Sequence, residues 1–203
     1  MIYFGTSGFN CNDWVGSFYP LGMPKREWFT CYACEFNICE VNSTFYALPK
    51  PSSLKAMAEK TGGDFIFSIK ANQEMTHQRE DKASVFKVFC QVLEPIIAAG
   101  KLGCILAQFP YSFGFDRRNW DYLRFFKERL AEVTSTISHV RFHRRNSAKW
   151  WQHEQDYERY GYSYTPQELS EWLPKIKKLD SVAEKAFFFA NNHWRGQAVS
   201  TIR

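Results

Sequence analysis

Ile38-Cys39-Glu40-Val41-Asn42-Ser43-Thr44 decides the fold. A short apolar start runs straight into a carboxylate, an amide and two hydroxyls. The same change recurs along the chain. Ile2-Tyr3-Phe4 runs into Gly5-Thr6-Ser7-Gly8, Phe65-Ile66-Phe67 into Ser68-Ile69-Lys70, and Cys104-Ile105-Leu106-Ala107 into Gln108-Phe109-Pro110. Val140 and Phe142 interleave with Arg141 and His143, and Arg145 and Asn146 follow. Phe187-Phe188-Phe189-Ala190 runs into Asn191-Asn192-His193. Short apolar runs bounded by turn residues read as buried strands. Strands that alternate with helical stretches imply a parallel sheet. In such a sheet the strand carboxyl ends lie on one side, where barrels and open sheets place their sites.

The stretches between the strands supply the helices. Pro24 sits near a helix start, with Trp28, Phe29, Tyr32 and Phe36 at helical spacing. Pro49 and Pro51 mark a break, after which Ser52 or Ser53 is expected to cap a helix through Lys60. Residues 71–82 read as a polar loop. Residues 84–99 read as a helix with Val85, Val88, Phe89 and Val92 inward and Gly100 as its stop. A helix over 119–130 puts Trp120, Leu123 and Phe126 on one stripe. Residues 147–164 are polar, aromatic and irregular. Thr165-Pro166-Gln167-Glu168 fits a cap with proline at the first helical position. The count is about six β/α units, against eight in a closed barrel.

Bulk composition narrows the class. The 203 residues fit one domain, 1–203, with a real core. Hydrophobic content of 45% and charged content of 23% are ordinary for a globular chain, and the 18% aromatic content is high. A net charge of +5 permits phosphate or nucleic-acid partners without demanding them. Cys31, Cys34 and Cys39 cluster, but no second cysteine pair or His-x3-His follows at finger spacing. They read as buried thiols in a reducing cytoplasm. Met1 leads directly into a strand, so no signal peptide is expected. No apolar run approaches the ~20 residues that span a membrane.

Gly5-Thr6-Ser7-Gly8 with Asp13-Trp14 and Phe18-Tyr19-Pro20 resembles the opening of the YecE-like proteins, the domain of unknown function 72. Glu40-Val41-Asn42-Ser43-Thr44-Phe45-Tyr46, Phe67-Ser68-Ile69-Lys70-Ala71, Gln108-Phe109-Pro110, Val140-Arg141-Phe142-His143, Arg159-Tyr160-Gly161-Tyr162-Ser163-Tyr164 and Asn191-Asn192-His193 match that family in order. The resemblance implies a TIM-type β/α barrel and no particular reaction. The chain departs from the family twice. His143-Arg144-Arg145 stands where the family usually has His-Gly-Arg. The two β/α units that the family normally carries between Gln108-Phe109-Pro110 and the Arg141 strand have no counterpart here. The resemblance therefore implies an incomplete barrel whose exposed strand edges favour self-association.

Arg141, His143 and Arg145 are the strongest constellation. Alternation puts Arg141 and His143 on one side of their strand, and buried cations need partners. Those partners are either an internal carboxylate such as Glu40 or a small anionic ligand, since barrels often bind phosphate at the loops after their last two strands. Glu40 and Lys70 end strands two and three. They read as base and electrostatic aid, or as groups that neutralise each other. His143 is the acid candidate. Asn42, Gln108, Asn191 and Asn192 are expected to orient a ligand or to satisfy strand-end backbone. No His-x-His or His-Glu-x-x-His appears, so no metal is expected, and no phosphate-binding glycine loop implies a cofactor. Arg117-Arg118, Arg144-Arg145 and Lys149 beside Trp150-Trp151 suggest, as an alternative, a nucleic-acid-binding face. An inactive, truncated family member is the third reading.

Overall fold

Every described strand pairing is parallel, as short apolar runs separated by helices require. The computed structural model describes residues 1–79, 83–114, 116–130, 137–142, 154–155, 161–182, 184–192 and 194–202. The strands are β1 (Ile2–Ser7), β2 (Ile38–Val41), β3 (Ile66–Lys70), β4 (Leu102–Leu106), β5 (Ile137–Phe142) and β6 (Lys185–Ala190). Between and after them come α1 (Lys25–Glu35), α2 (Ser43–Tyr46), α3 (Pro51–Glu59), α4 (Ser84–Ala98), α5 (Arg117–Arg129), α6 (Pro166–Ser170), α7 (Leu173–Val182) and α8 (Gln197–Ile202). This is an α/β fold. It divides into two compact units, one of Met1–Glu40 with Thr136–Arg203 and one of Val41–Ser135.

In the first unit β1 pairs with β2 on one side and β6 on the other, and β6 pairs with β5. Gly5 stands opposite Ile38, and a Cβ on Gly5 would meet the Ile38 carbonyl oxygen at 2.0 Å. Only glycine fits there. The fully buried Tyr32 of α1 reaches the same place. Its hydroxyl donates to the Ile38 carbonyl (2.9 Å) and accepts from the Thr6 amide (2.8 Å), so one phenol joins a helix to two strands. Burial pushes the Tyr32 hydroxyl well above its ordinary pKa and keeps it a neutral donor. Other aromatic rings cluster beside it. Tyr19 stacks on Trp28 at 4.8 Å, and Phe9, Phe18, Phe29 and Phe36 pack around Tyr32. Phe187, Phe188 and Phe189 of β6 are buried in succession, as a strand covered on both faces must be. Ile2, Tyr164, Leu169, Trp172 and Ile176 pack against Phe188 and Ala186.

In the second unit β3 pairs with β4, with a register shift between Phe67 and Ser68. The buried Lys101 ties down the end of α3. Its Nζ donates to the Ala58 carbonyl (2.7 Å), the Thr61 carbonyl (2.8 Å) and the Thr61 Oγ1 (2.7 Å). A cation suits a helix C-terminus, where carbonyls lack partners.

Several sequence expectations need correction. Pro51 takes the first turn of α3, so Lys50 is the cap and Ser52 and Ser53 lie inside the helix. Glu74–Gln78 form a turn of π-helix inside the expected polar loop. α5 starts earlier than expected, capped by Asp116, and turns Asn119, Tyr122 and Phe126 inward, where Tyr122 bonds the Met75 carbonyl and Asn119 the Gly114 carbonyl, leaving Trp120 48% exposed. Val88 lies on the wet side of α4, where Phe86, Leu93 and Ile96 join the inward set. The Cys34 thiol is exposed rather than buried. Thr165 and Glu168 do form the expected capping box.

Tyr32→Phe is expected to lower stability by about 1–3 kcal/mol, since it leaves the Thr6 amide and Ile38 carbonyl unpaired in the core. Lys101→Met is expected to cost about 2 kcal/mol through its three stranded acceptors. Urea unfolding measures both, and wild-type midpoints would show that neither group holds the fold.

Candidate functional site

The strand registers bring the first unit's polar ends to one level. Ser7 stands opposite Glu40, Thr6 opposite Ala190, and Phe142 opposite Ala190 from the other side. Glu40 is fully buried at the penultimate position of a strand whose other three residues are apolar and buried. Arg141 occupies the penultimate position of β5, opposite Phe189. Asn191 and Asn192 follow β6 directly. Asn191 is half-buried. Asn192 is buried and its Nδ2 donates to the Tyr162 carbonyl (2.6 Å) and to Thr201 Oγ1 (2.8 Å). The first of these bonds satisfies a backbone carbonyl and the second a side-chain hydroxyl. Its Oδ1 is buried with no hydrogen-bond partner among the described residues. His143 and Arg145 lie outside the described residues, as do Arg144, Lys149, Trp150 and Trp151.

Lys70, Asn42 and Gln108 belong to the second unit. The ends of β2 and β3 are fastened by Thr44, whose hydroxyl lies 2.6 Å from the Lys70 carbonyl and 3.1 Å from that of Val41. Asn72 donates to the Thr44 carbonyl (2.9 Å) and accepts from the Glu74 amide (3.0 Å). Lys70 Nζ sits 4.4 Å from the centre of the Phe45 ring, a cation–π contact. Burial pulls the Lys70 amine below its ordinary value. Phe45 also meets the His77 ring edge-on at 5.1 Å. Partial desolvation first, then the charges of Lys70 and Arg79, hold the exposed His77 below the usual histidine range. The β3 end is thus a positive field. The Asn42 Oδ1 is buried without a hydrogen-bond partner among the described residues. Gln108 is exposed, two residues past the end of β4.

Sequence reading missed Thr44, Asn72, His77 and Arg79. Thr44 and Asn72 carried one available signal, since hydroxyl and amide residues just past a strand commonly satisfy local backbone. Arg79 carried none, because its importance lies in a backbone conformation.

Among the described residues, no group of three His, Cys, Asp or Glu side chains is placed to hold a metal ion. Among them, too, no helix is long and apolar enough to cross a membrane.

A parallel α/β sheet whose strands alternate with helices defines the class of protein. The family is now specific: the chain belongs to the one described as "Protein of unknown function DUF72", whose profile matches residues 3–134 and 126–203. The chain is 25% identical to the UPF0759 protein YunF of Bacillus subtilis over 259 positions, covering 98% of this chain and 91% of YunF. It is 33% identical to the UPF0759 protein YecE of Escherichia coli over 119 residues, 56% of this chain and 39% of YecE. Among solved structures, a DUF72 family protein of Thermotoga maritima superimposes with a TM-score of 0.86 at 28% identity, covering 100% of this chain and 96% of that one. One from Enterococcus faecalis gives 0.86 at 18% identity, covering 100% and 93%, and so speaks to fold alone.

The Lys70 shift has a measurable sign. Burial lowers the folded-state pKa below the ordinary 10.5, so between those values the unfolded chain binds more protons. Stability then rises with pH through that window, and the penalty is fully present below it. Wild type is expected to gain stability relative to Lys70→Met as pH approaches 10.5, read by urea unfolding at several pH values. Parallel pH profiles would show that Lys70 is not desolvated.

Proposed function

We propose that the strand carboxyl ends of the first unit hold a phosphate- or carboxylate-bearing ligand and act on it by acid–base chemistry. Glu40 is the base and His143 the acid, while Arg141 and Arg145 hold the anion. Asn191 and Asn192 orient the ligand. The observation that carries this reading is the complete burial of Glu40 at a strand end. An isolated ionised carboxylate is too costly to bury, so a glutamate buried there is matched by a cation or a donor. Arg141, at the end of another strand in the same sheet, is of the type to answer it.

The reading includes an incomplete TIM-type barrel. The likeness to the Thermotoga maritima structure supports that architecture. The incompleteness is supported by the family profile, which matches in two pieces meeting at residues 126–134. The alignment to YunF supports it too, running over 259 positions, 56 more than this chain has residues. The same gap favours a second reading, an inactive member of the family that self-associates through uncovered strand edges. Among the described pairings β4 joins only β3, and β5 only β6.

Thermal unfolding with inorganic phosphate, citrate and short single-stranded oligonucleotides separates these readings. A small-anion ligand at a hundredfold excess over its Kd is expected to add about 2.7 kcal/mol. Arg141→Ala is expected to abolish that gain. Glu40→Gln is expected to keep it while abolishing turnover of whatever substrate the anion screen leads to. No gain with any small anion, together with a concentration-dependent melt, would replace the enzyme reading with the self-associating one.

A further inference from the structure

A cleft lies wholly within the second unit, apart from the residues just assigned. It encloses about 620 Å³, the size of a small-ligand site. Arg79, Arg117 and Arg118 line it with Gln78, Asn119 and Asp121, and Tyr122 and Phe125 complete its wall.

Two local rules of backbone physics are broken here, and both breaches deliver cations to this cleft. Arg79 caps the π-turn at φ 59°, ψ 25°, the left-handed region that a side-chain-bearing residue enters at a cost. Glycine would serve that turn with less strain, as Gly100 does at the end of α4 with φ 68°. Arg117 and Arg118 open α5, where the helix dipole favours acidic residues, and the first turn holds no acidic residue. Both arginines are exposed. Among the described residues, no carboxylate lies within ion-pair distance of any of the three arginines; the ion pairs found there join Arg26 to Glu27 and Lys55 to Glu59.

Arg79 is also held in place. Its Nη1 donates to Asn119 Oδ1 at 3.2 Å. Asn119 is itself fixed, its Nδ2 donating to the Gly114 carbonyl (2.8 Å) and to Asp116 Oδ2 (3.0 Å). The guanidinium lies 5.1 Å from the centre of the Phe113 ring and 5.8 Å from that of Tyr122. Tyr122 is anchored by its hydroxyl, which donates to the Met75 carbonyl of the same π-turn. One donor of the guanidinium is thus committed, and the Nε is buried with no acceptor among the described residues. A fixed guanidinium with spare N–H groups suits bidentate recognition of a phosphate oxygen pair.

We propose that this cleft binds a nucleotide-sized phosphate ester. Arg79 takes phosphate oxygens through its spare donors, and Arg117 and Arg118 add charge beside it. Tyr122 and Phe125 pack against the planar base, and Asp121 accepts from a hydroxyl or amino group of the ligand. A volume of about 620 Å³ suits a mononucleotide, and the phosphate and base chemistry is shared with a strand of nucleic acid.

Calorimetric titration of the full chain with ADP tests the assignment. Adenosine is expected to bind about tenfold more weakly or worse, because it lacks the charged groups. Arg79→Gly is the decisive variant. It keeps the positive φ, so thermal stability is expected to hold or rise, while ADP affinity falls about tenfold or more. The double variant Arg117→Gln with Arg118→Gln is expected to weaken ADP similarly. Absence of ADP binding, or binding that Arg79→Gly leaves intact, overturns the proposal. A short oligodeoxythymidine that binds about tenfold more tightly than ADP also overturns it, assigning the cleft to a nucleic-acid strand.

Discussion

The first unit depends on one point of contact, where Gly5, Ile38 and the Tyr32 hydroxyl meet. The absence of a side chain at Gly5 lets β1 and β2 approach. The phenol then serves the Thr6 amide and the Ile38 carbonyl together. A slip of one residue would turn every side chain to the other face, so this contact decides which groups are buried. With Gly5 opposite Ile38, the next pairs in register are Thr6 with Cys39 and Ser7 with Glu40. The position of the buried carboxylate follows from a glycine two residues earlier on the neighbouring strand.

The second unit spends its polar groups differently. Lys101, Thr44 and Asn72 are buried, and their hydrogen bonds go mainly to backbone carbonyls. These residues secure helix and strand ends that would otherwise leave carbonyls without donors. Arg79, Arg117 and Arg118 do the opposite. Arg79 occupies a backbone conformation it does not favour, and the other two occupy a helix terminus that does not favour them. Sequences that fold well agree with themselves at every level, and departures concentrate where function demands them.

Much of the fold was legible because burial writes itself into residue type. Phe187-Phe188-Phe189 could only be a strand covered on both faces, and Thr165-Pro166-Gln167-Glu168 could only open a helix. Proline was misread at Pro51, where its fixed φ starts the helix and makes a serine cap unnecessary. Trp120 was misread because a large ring on a helix looks like core, whereas the bonds of Tyr122 and Asn119 turn the neighbouring face inward. Of the candidate site, Glu40 was legible as a lone charge closing an apolar strand. Arg79 was not, since no composition or spacing reveals a positive φ. Asn192 was legible as a strand-end amide, but its partner Tyr162 is 30 residues away and was not.

β1 pairs with β6 from Ile2 opposite Ala186 to Thr6 opposite Ala190, and the Met1 carbonyl accepts from the Ala186 amide. The first unit is therefore interrupted in sequence, while the second runs unbroken from Val41 to Ser135. On a ribosome the second unit is wholly synthesised while β1 still lacks its β6 neighbour. At synthesis rates of about 5–20 residues per second, β1 waits roughly 3–11 seconds more for that neighbour to be made. Throughout that interval the β6-facing edge of β1 is open, although β1 is made before any of the second unit.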